Sequence, residues 1–99
     1  MPRVHLDMNN PEFQRTWFAL ESAEATRVFT TLRKISKLDW NQIYRDPGLK
    51  WEAIGSRTRL DGQRLYSFRA TQKMRIVAYR EGDTLRLQGV YPDHDSTYQ

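Results

Sequence analysis

The chain has 99 residues, with 16 basic and 12 acidic side chains, no cysteine and a formal net charge of +4. That length fits one domain spanning residues 1–99. The missing thiols exclude a disulfide scaffold, a thiolate zinc site and a cysteine nucleophile. Hydrophobic residues at 38% and aromatics at 12% suffice for a core and exclude wholesale disorder. No stretch approaches the ~20 apolar residues of a membrane span. The opening residues lack the apolar run of a secretory signal. The expectation is a soluble, cytoplasmic protein without a membrane partner.

Residues 3–8 alternate and suit a short strand. Asn10-Pro11-Glu12 signals a helix start, with a capping side chain, proline at the first position and an early acid. Phe13, Trp17 and Leu20 give that helix an apolar stripe. A second helix is expected from Ser22 to Leu38, with Ala25, Val28, Phe29, Leu32 and Ile35 on one face. Asp39 and Gln42 have capping-box spacing, which opens a short third helix that Asp46-Pro47-Gly48 ends. The period then changes to two. Strands are expected over 50–54, 64–71, 74–80 and 84–91, with turns at Asp61-Gly62 and Glu81-Gly82-Asp83. Trp17, Trp40 and Trp51 read as packing residues. The separate blocks predict an α+β domain: an N-terminal strand and two to three helices on one face of a mostly antiparallel, four- to five-stranded sheet.

Residues 56–80 carry seven cations (Arg57, Arg59, Arg64, Arg69, Lys73, Arg75 and Arg80) against the single acid Asp61. The other residues are slightly acidic. A local cationic face attracts polyanions, nucleic acid first and an acidic protein segment second. Strand parity sends Tyr66, Phe68, Ala70, Met74, Ile76, Ala78, Leu85 and Leu87 to the helices. It sends Arg69, Arg75, Val77, Tyr79, Arg86 and Gln88 to the uncovered face. The expectation is that Arg69, Arg75 and Arg86 gather there. Without carboxylates at ligand spacing around His5 or His94, neither a metal nor a cofactor is expected.

The run Leu65-Tyr66-Ser67-Phe68-Arg69-Ala70-Thr71-Gln72-Lys73-Met74-Arg75-Ile76-Val77-Ala78-Tyr79 resembles the central hairpin of the RelE/ParE superfamily of bacterial toxins. His94-Asp95-Ser96-Thr97-Tyr98 resembles the His-Asp-x-x-Tyr close of one branch of that superfamily. The resemblance spans roughly residues 22–99. It implies a small RelE-like toxin of a two-gene toxin–antitoxin pair. It also implies a metal-independent endoribonuclease that cleaves mRNA, in several members on the ribosome, and a cognate antitoxin with an extended or acidic segment. Arg75 matches the arginine that contacts the scissile phosphate, Arg69 a second basic position, and His94 and Tyr98 the C-terminal pair. These four are the expected catalytic residues, with His94 as acid or base. Lys73, Arg86, Arg57 and Arg59 are the expected RNA contacts. Ser67 stands where RelE carries a lysine and Pro92 where it carries an arginine. The alternatives are a ParE-like inhibitor of DNA gyrase and a non-toxic module that binds nucleic acid or antitoxin.

Overall fold

The structure is a computed structural model that describes residues 3–59 and 61–92, without the side chains of residues 56 and 57. The expected site residues His94 and Tyr98, and the side chain of Arg57, lie outside the described residues.

The elements are β1 (His5–Asp7), α1 (Pro11–Phe18), α2 (Ser22–Ile35), α3 (Trp40–Arg45), β2 (Glu52–Thr58), β3 (Arg64–Arg69), β4 (Arg75–Glu81) and β5 (Thr84–Tyr91). They form a single five-stranded sheet in the order β1-β5-β4-β3-β2. β1 runs parallel to β5, and the other neighbours are antiparallel. The predicted α+β arrangement is the observed one.

The helix starts follow their capping chemistry. Asn10 Oδ1 accepts the Glu12 amide at 2.8 Å, with Pro11 in the first turn. Asp39 and Gln42 close both bonds of a capping box at 2.9 Å each. Each cap satisfies an amide that the helix leaves unpaired, and losing one costs about 1 kcal/mol. α2 ends three residues before the expected Leu38. Its last turn tightens, with the Lys37 and Leu38 amides donating three residues back. The Leu38 carbonyl is then free to accept the Val4 amide at 3.2 Å, which fixes the first strand beside the helix end.

The helix-side core joins Phe13, Val28, Leu32, Ile35 and Ile43 to Phe68, Ile76, Ala78, Leu85 and Leu87 of the sheet and Met74 of the β3–β4 turn. The sheet parity expected for these residues holds. Trp51 stacks on Tyr66 and Phe68, with ring centroids 4.9 and 6.1 Å apart. Trp40 is buried in the same core. Phe29 departs from the expected stripe. It lies one residue beyond the buried Val28, about 100° further round the helix, and is 54% exposed.

Two irregularities shape the sheet. Pairing between β2 and β3 shifts register between Ala53 and Thr58, where Gly55 takes φ +45°. Between β4 and β5 the register shifts between Val77 and Ala78, leaving Gln88 as an extra residue on β5. Such a bulge reverses the faces beyond it. Leu87 and Val90 therefore both face the core, and Tyr91 goes to the uncovered side opposite Arg75.

Asp46 ties the end of α3 to α2. Its carboxylate pairs with Lys34 Nζ at 2.8 Å and accepts the Gly48 and Leu49 amides. Burial pushes this carboxyl up, but Lys34 and the two amides outweigh it and hold it below its ordinary value. The unfolded chain therefore takes up this proton first on acidification, so the contribution is full above the unfolded value and lost below it. We expect urea midpoints to fall as pH drops from about 6 to about 3. Asp46→Asn should lower the midpoint near neutral pH and flatten that fall. An unchanged slope would remove Asp46 from the account.

Candidate functional site

The face of the sheet away from the helices is organised by cross-strand rows. Arg69 pairs with Arg75, and Arg75 with Tyr91. In the next row Glu52 pairs with Ser67, Ser67 with Val77 and Val77 with Gly89. The sequence puts arginine on both sides of one ladder position, where like charges oppose each other at short range.

Arg75 is only 4% exposed, and its Nη1 lies 3.4 Å from Glu52 Oε1. Arg69 is half-buried, and among the described residues its Nε–H has no hydrogen-bond partner. Ser67, two residues earlier on the same face, is fully buried, and its hydroxyl also has no partner among the described residues. A guanidinium N–H is only a donor, and a hydroxyl can donate. Two buried groups able to donate thus lie on one face without an acceptor among the described residues.

The row is bounded on three sides. Lys73 sits exposed in the β3–β4 turn, where Thr71 Oγ1 accepts its amide and that of Met74. Tyr91 lies flat over Gly89, and a Cβ there would come within 2.8 Å of the Tyr91 hydroxyl. On the third side Glu52 presents the carboxylate that pairs Arg75. Val77 and Tyr79, expected to face outward, do so but are buried outside the helix-side core. Arg59 lies over the Tyr79 ring at 4.5 Å and donates to Gln88 Oε1 at 2.6 Å. Its Nε also lies 3.3 Å from Asp61.

The expected gathering of three arginines needs correction. Arg86 faces the right side but lies opposite Tyr79, four residues along β4 from Arg75. That separation is about 13 Å along the strand. Its guanidinium is clamped by Asp7 and by Glu81, the latter at 2.7 Å. Those two carboxylates raise its pKa. The cationic segment is also not one face. Arg64 donates to the Gly55 carbonyl, and Arg80 stacks on Trp40 at 4.3 Å and donates to the Tyr44 hydroxyl. Even parity carries Arg80 to the helix side with Ile76 and Ala78.

Glu52 and Tyr91 were not singled out by the sequence. Glu52 shares that face with Ser67 through their pairing across β2 and β3. Unbroken alternation sends Tyr91 to the helices, and only the bulge brings it out. Among the described residues no cluster of three or more His, Cys, Asp or Glu could hold a metal ion. No helix among them is long and apolar enough to cross a membrane.

No family model and no curated protein matches the sequence. Solved structures do match. The chain is similar to the RelB–RelE antitoxin–toxin complex from Methanococcus jannaschii, with a TM-score of 0.61 at 16% identity over 96% of this chain and 95% of that one. It is also similar to a copper-bound mutant toxin from Helicobacter pylori, with a TM-score of 0.50 at 18% identity over 97% and 98% of the two chains. The chain has a RelE-like fold. The likeness runs over most of both chains in each case.

An anion seated between Arg69 and Arg75 should stabilise the RelE-like domain. A ligand present at 100 times its Kd adds about 2.7 kcal/mol. We expect sulfate, at constant ionic strength against chloride, to raise Tm more in the parent than in Arg69→Met. Without sulfate, Arg69→Met should melt no lower than the parent, because it removes a like-charge contact and an unmatched donor. An equal sulfate response in both proteins would contradict an anion site at this row.

Proposed function

We propose that this protein is the toxin of a toxin–antitoxin pair and cleaves mRNA without a metal ion. The observation that carries the reading is the Arg69–Arg75 pair with its unmatched Nε–H, set beside the Glu52 carboxylate. The RelE-like fold and the His-Asp-x-x-Tyr ending agree with it.

RNA cleavage by internal attack requires a proton acceptor, a cradle for the phosphorane charge and a proton donor for the leaving group. In the proposed reaction the RNA 2′-oxygen attacks the adjacent phosphorus and its proton passes to Glu52. The phosphorus–5′-oxygen bond breaks, a 2′,3′-cyclic phosphate forms, and His94 gives its proton to the 5′-oxygen. Arg69 and Arg75 hold the non-bridging oxygens. Both are pre-positioned by the ladder, so little reorganisation is needed as charge develops. His94 lies three residues beyond Tyr91, and three residues reach at most about 11 Å. Tyr98 stacks on a base or assists the proton transfer. Lys73 in the turn steers the RNA backbone, and Arg57 and Arg59 extend the contact. Arg86, already held by two carboxylates, contributes least. The partner that restrains the toxin is an antitoxin protein.

Controlled expression in bacteria tests this reading. The parent should arrest growth with fragmented mRNA, and the purified protein should cut RNA in the presence of EDTA. Glu52→Gln, Arg69→Gln and His94→Ala should each lose about 10²-fold or more in cleavage rate, with folded circular dichroism spectra. DNA-damage induction without RNA fragments would replace the reading with gyrase inhibition. Normal growth with intact RNA would leave a non-toxic binding module.

A further inference from the structure

Tyr79 projects from β4 on the side of the sheet that the helices leave open, yet it is only 7% exposed. Arg59 lies on it, with the guanidinium carbon 4.5 Å from the ring centre. The chain just after β2 brings that arginine across. The Arg59 amide donates to the Gln63 carbonyl at 2.8 Å, and its carbonyl accepts the Gly62 amide at 2.9 Å. Gly62 sits at φ +87°, where glycine is favoured. The guanidinium is then held at both ends. Its Nη1 donates to Gln88 Oε1 at 2.6 Å, and its Nε lies 3.3 Å from Asp61 Oδ1.

One flat side of the guanidinium rests on Tyr79, and the side chain keeps 34% of its surface in solvent. Arginine planes stack on nucleobases as they do on rings. The two ends of this plane differ in chemistry. At one end the Asp61 side chain is 51% exposed. The Gln63 amide, and after it Arg59, hold the Asp61 carboxyl below its ordinary value. Near neutral pH it is therefore an anion that only accepts. At the other end Gln88 Nε2 donates to the adjacent Leu87 carbonyl at 3.2 Å. An amide nitrogen carries two donors, so a second N–H has no partner among the described residues. Covering Tyr79 needs only an arginine stem. It does not need the plane set between a carboxylate and a carboxamide.

We propose that Arg59 is a stacking platform for a guanine base of the RNA, with Asp61 and Gln88 reading the edges of that base. Guanine offers N1–H and N2–H donors on one edge and the N7 acceptor on another, which matches the carboxylate at one end and the N–H at the other. Adenine turns an N1 lone pair toward the carboxylate, and pyrimidines cover less of the plane. The proposal rests on the RNA reading of the Arg69–Arg75 row. Tyr79 lies four residues from Arg75 along β4, about 13 Å away, so the platform takes a base beside the held phosphate and not the phosphate itself. The row then supplies charge, and the platform supplies sequence preference.

The test uses the full chain and labelled 2′-O-methyl strands of about five nucleotides, in which internal attack is blocked. Each is oligouridine with a single guanine, adenine or inosine placed at each position in turn. Fluorescence anisotropy should show one position where guanine binds at least about tenfold tighter than adenine or uracil. Inosine, which lacks the N2 amine, should fall between guanine and adenine there. Arg59→Lys keeps the charge without the plane and should remove the guanine advantage. Asp61→Asn keeps the acceptor for the Gln63 amide and should bring guanine and adenine together. Arg69→Met should weaken every strand by a similar factor and leave the ratio of guanine to adenine unchanged. Unchanged Tm values in Arg59→Lys and Asp61→Asn verify folding. Binding that needs Arg69 but is indifferent to the base, or a guanine advantage that survives Arg59→Lys, would overturn the platform and leave the RNA reading standing. No binding of any strand, together with intact RNA in the cleavage assay, would overturn both.

Discussion

Two arginines are paired across the β3–β4 ladder, and one carries a buried Nε–H that no described residue receives. Backbone pairing holds them there against their mutual repulsion. Glu52 offsets one of the two charges from the neighbouring strand. The cation of Arg69 and the unmatched groups of Arg69 and Ser67 are what the proposed anion site rests on. Like-charge pairing and buried unmatched donors each lower stability.

The rest of the fold serves to hold that row still. Core side chains on the other side of β3 and β4 pin the strands to the helices. The bulge at Gln88 turns Tyr91 toward Arg75, and the Thr16 hydroxyl accepts the Val90 amide at 2.9 Å, so α1 holds the end of β5. Several cations outside the row are engaged elsewhere. Arg86 is neutralised by Asp7 and Glu81, Arg80 packs on Trp40, and Arg59 packs on Tyr79. Charge pooled in the chain is divided by the sheet into one cross-strand arginine pair and several structural contacts.

Local chemistry made much of this legible from sequence. Caps at Asn10 and Asp39, the glycine turn at Gly82 and the parity of Phe68 and Ile76 need only neighbours in the chain. The Arg69–Arg75 pairing was also readable, because a short turn leaves little choice of register. What depended on distant partners was not. Asp7 reaches Arg86 only because β1 lies beside β5, and Glu52 reaches Arg75 only because β2 pairs with β3. Tyr91 faces out only because one extra residue on β5 reverses the alternation. Phe29 fits a helical stripe by spacing, but β1 and α1 leave its sector open as a groove.

The most direct measurement is an NMR titration of the arginine Nε–H resonances with a 2′-deoxy dinucleotide, which presents a phosphodiester that internal attack cannot cleave. The account predicts that the Arg69 Nε–H resonance shifts and gains protection from exchange, with Arg75 following and Arg86 unmoved. A response confined to Arg86 or the helix-side arginines, with Arg69 unchanged, would contradict it.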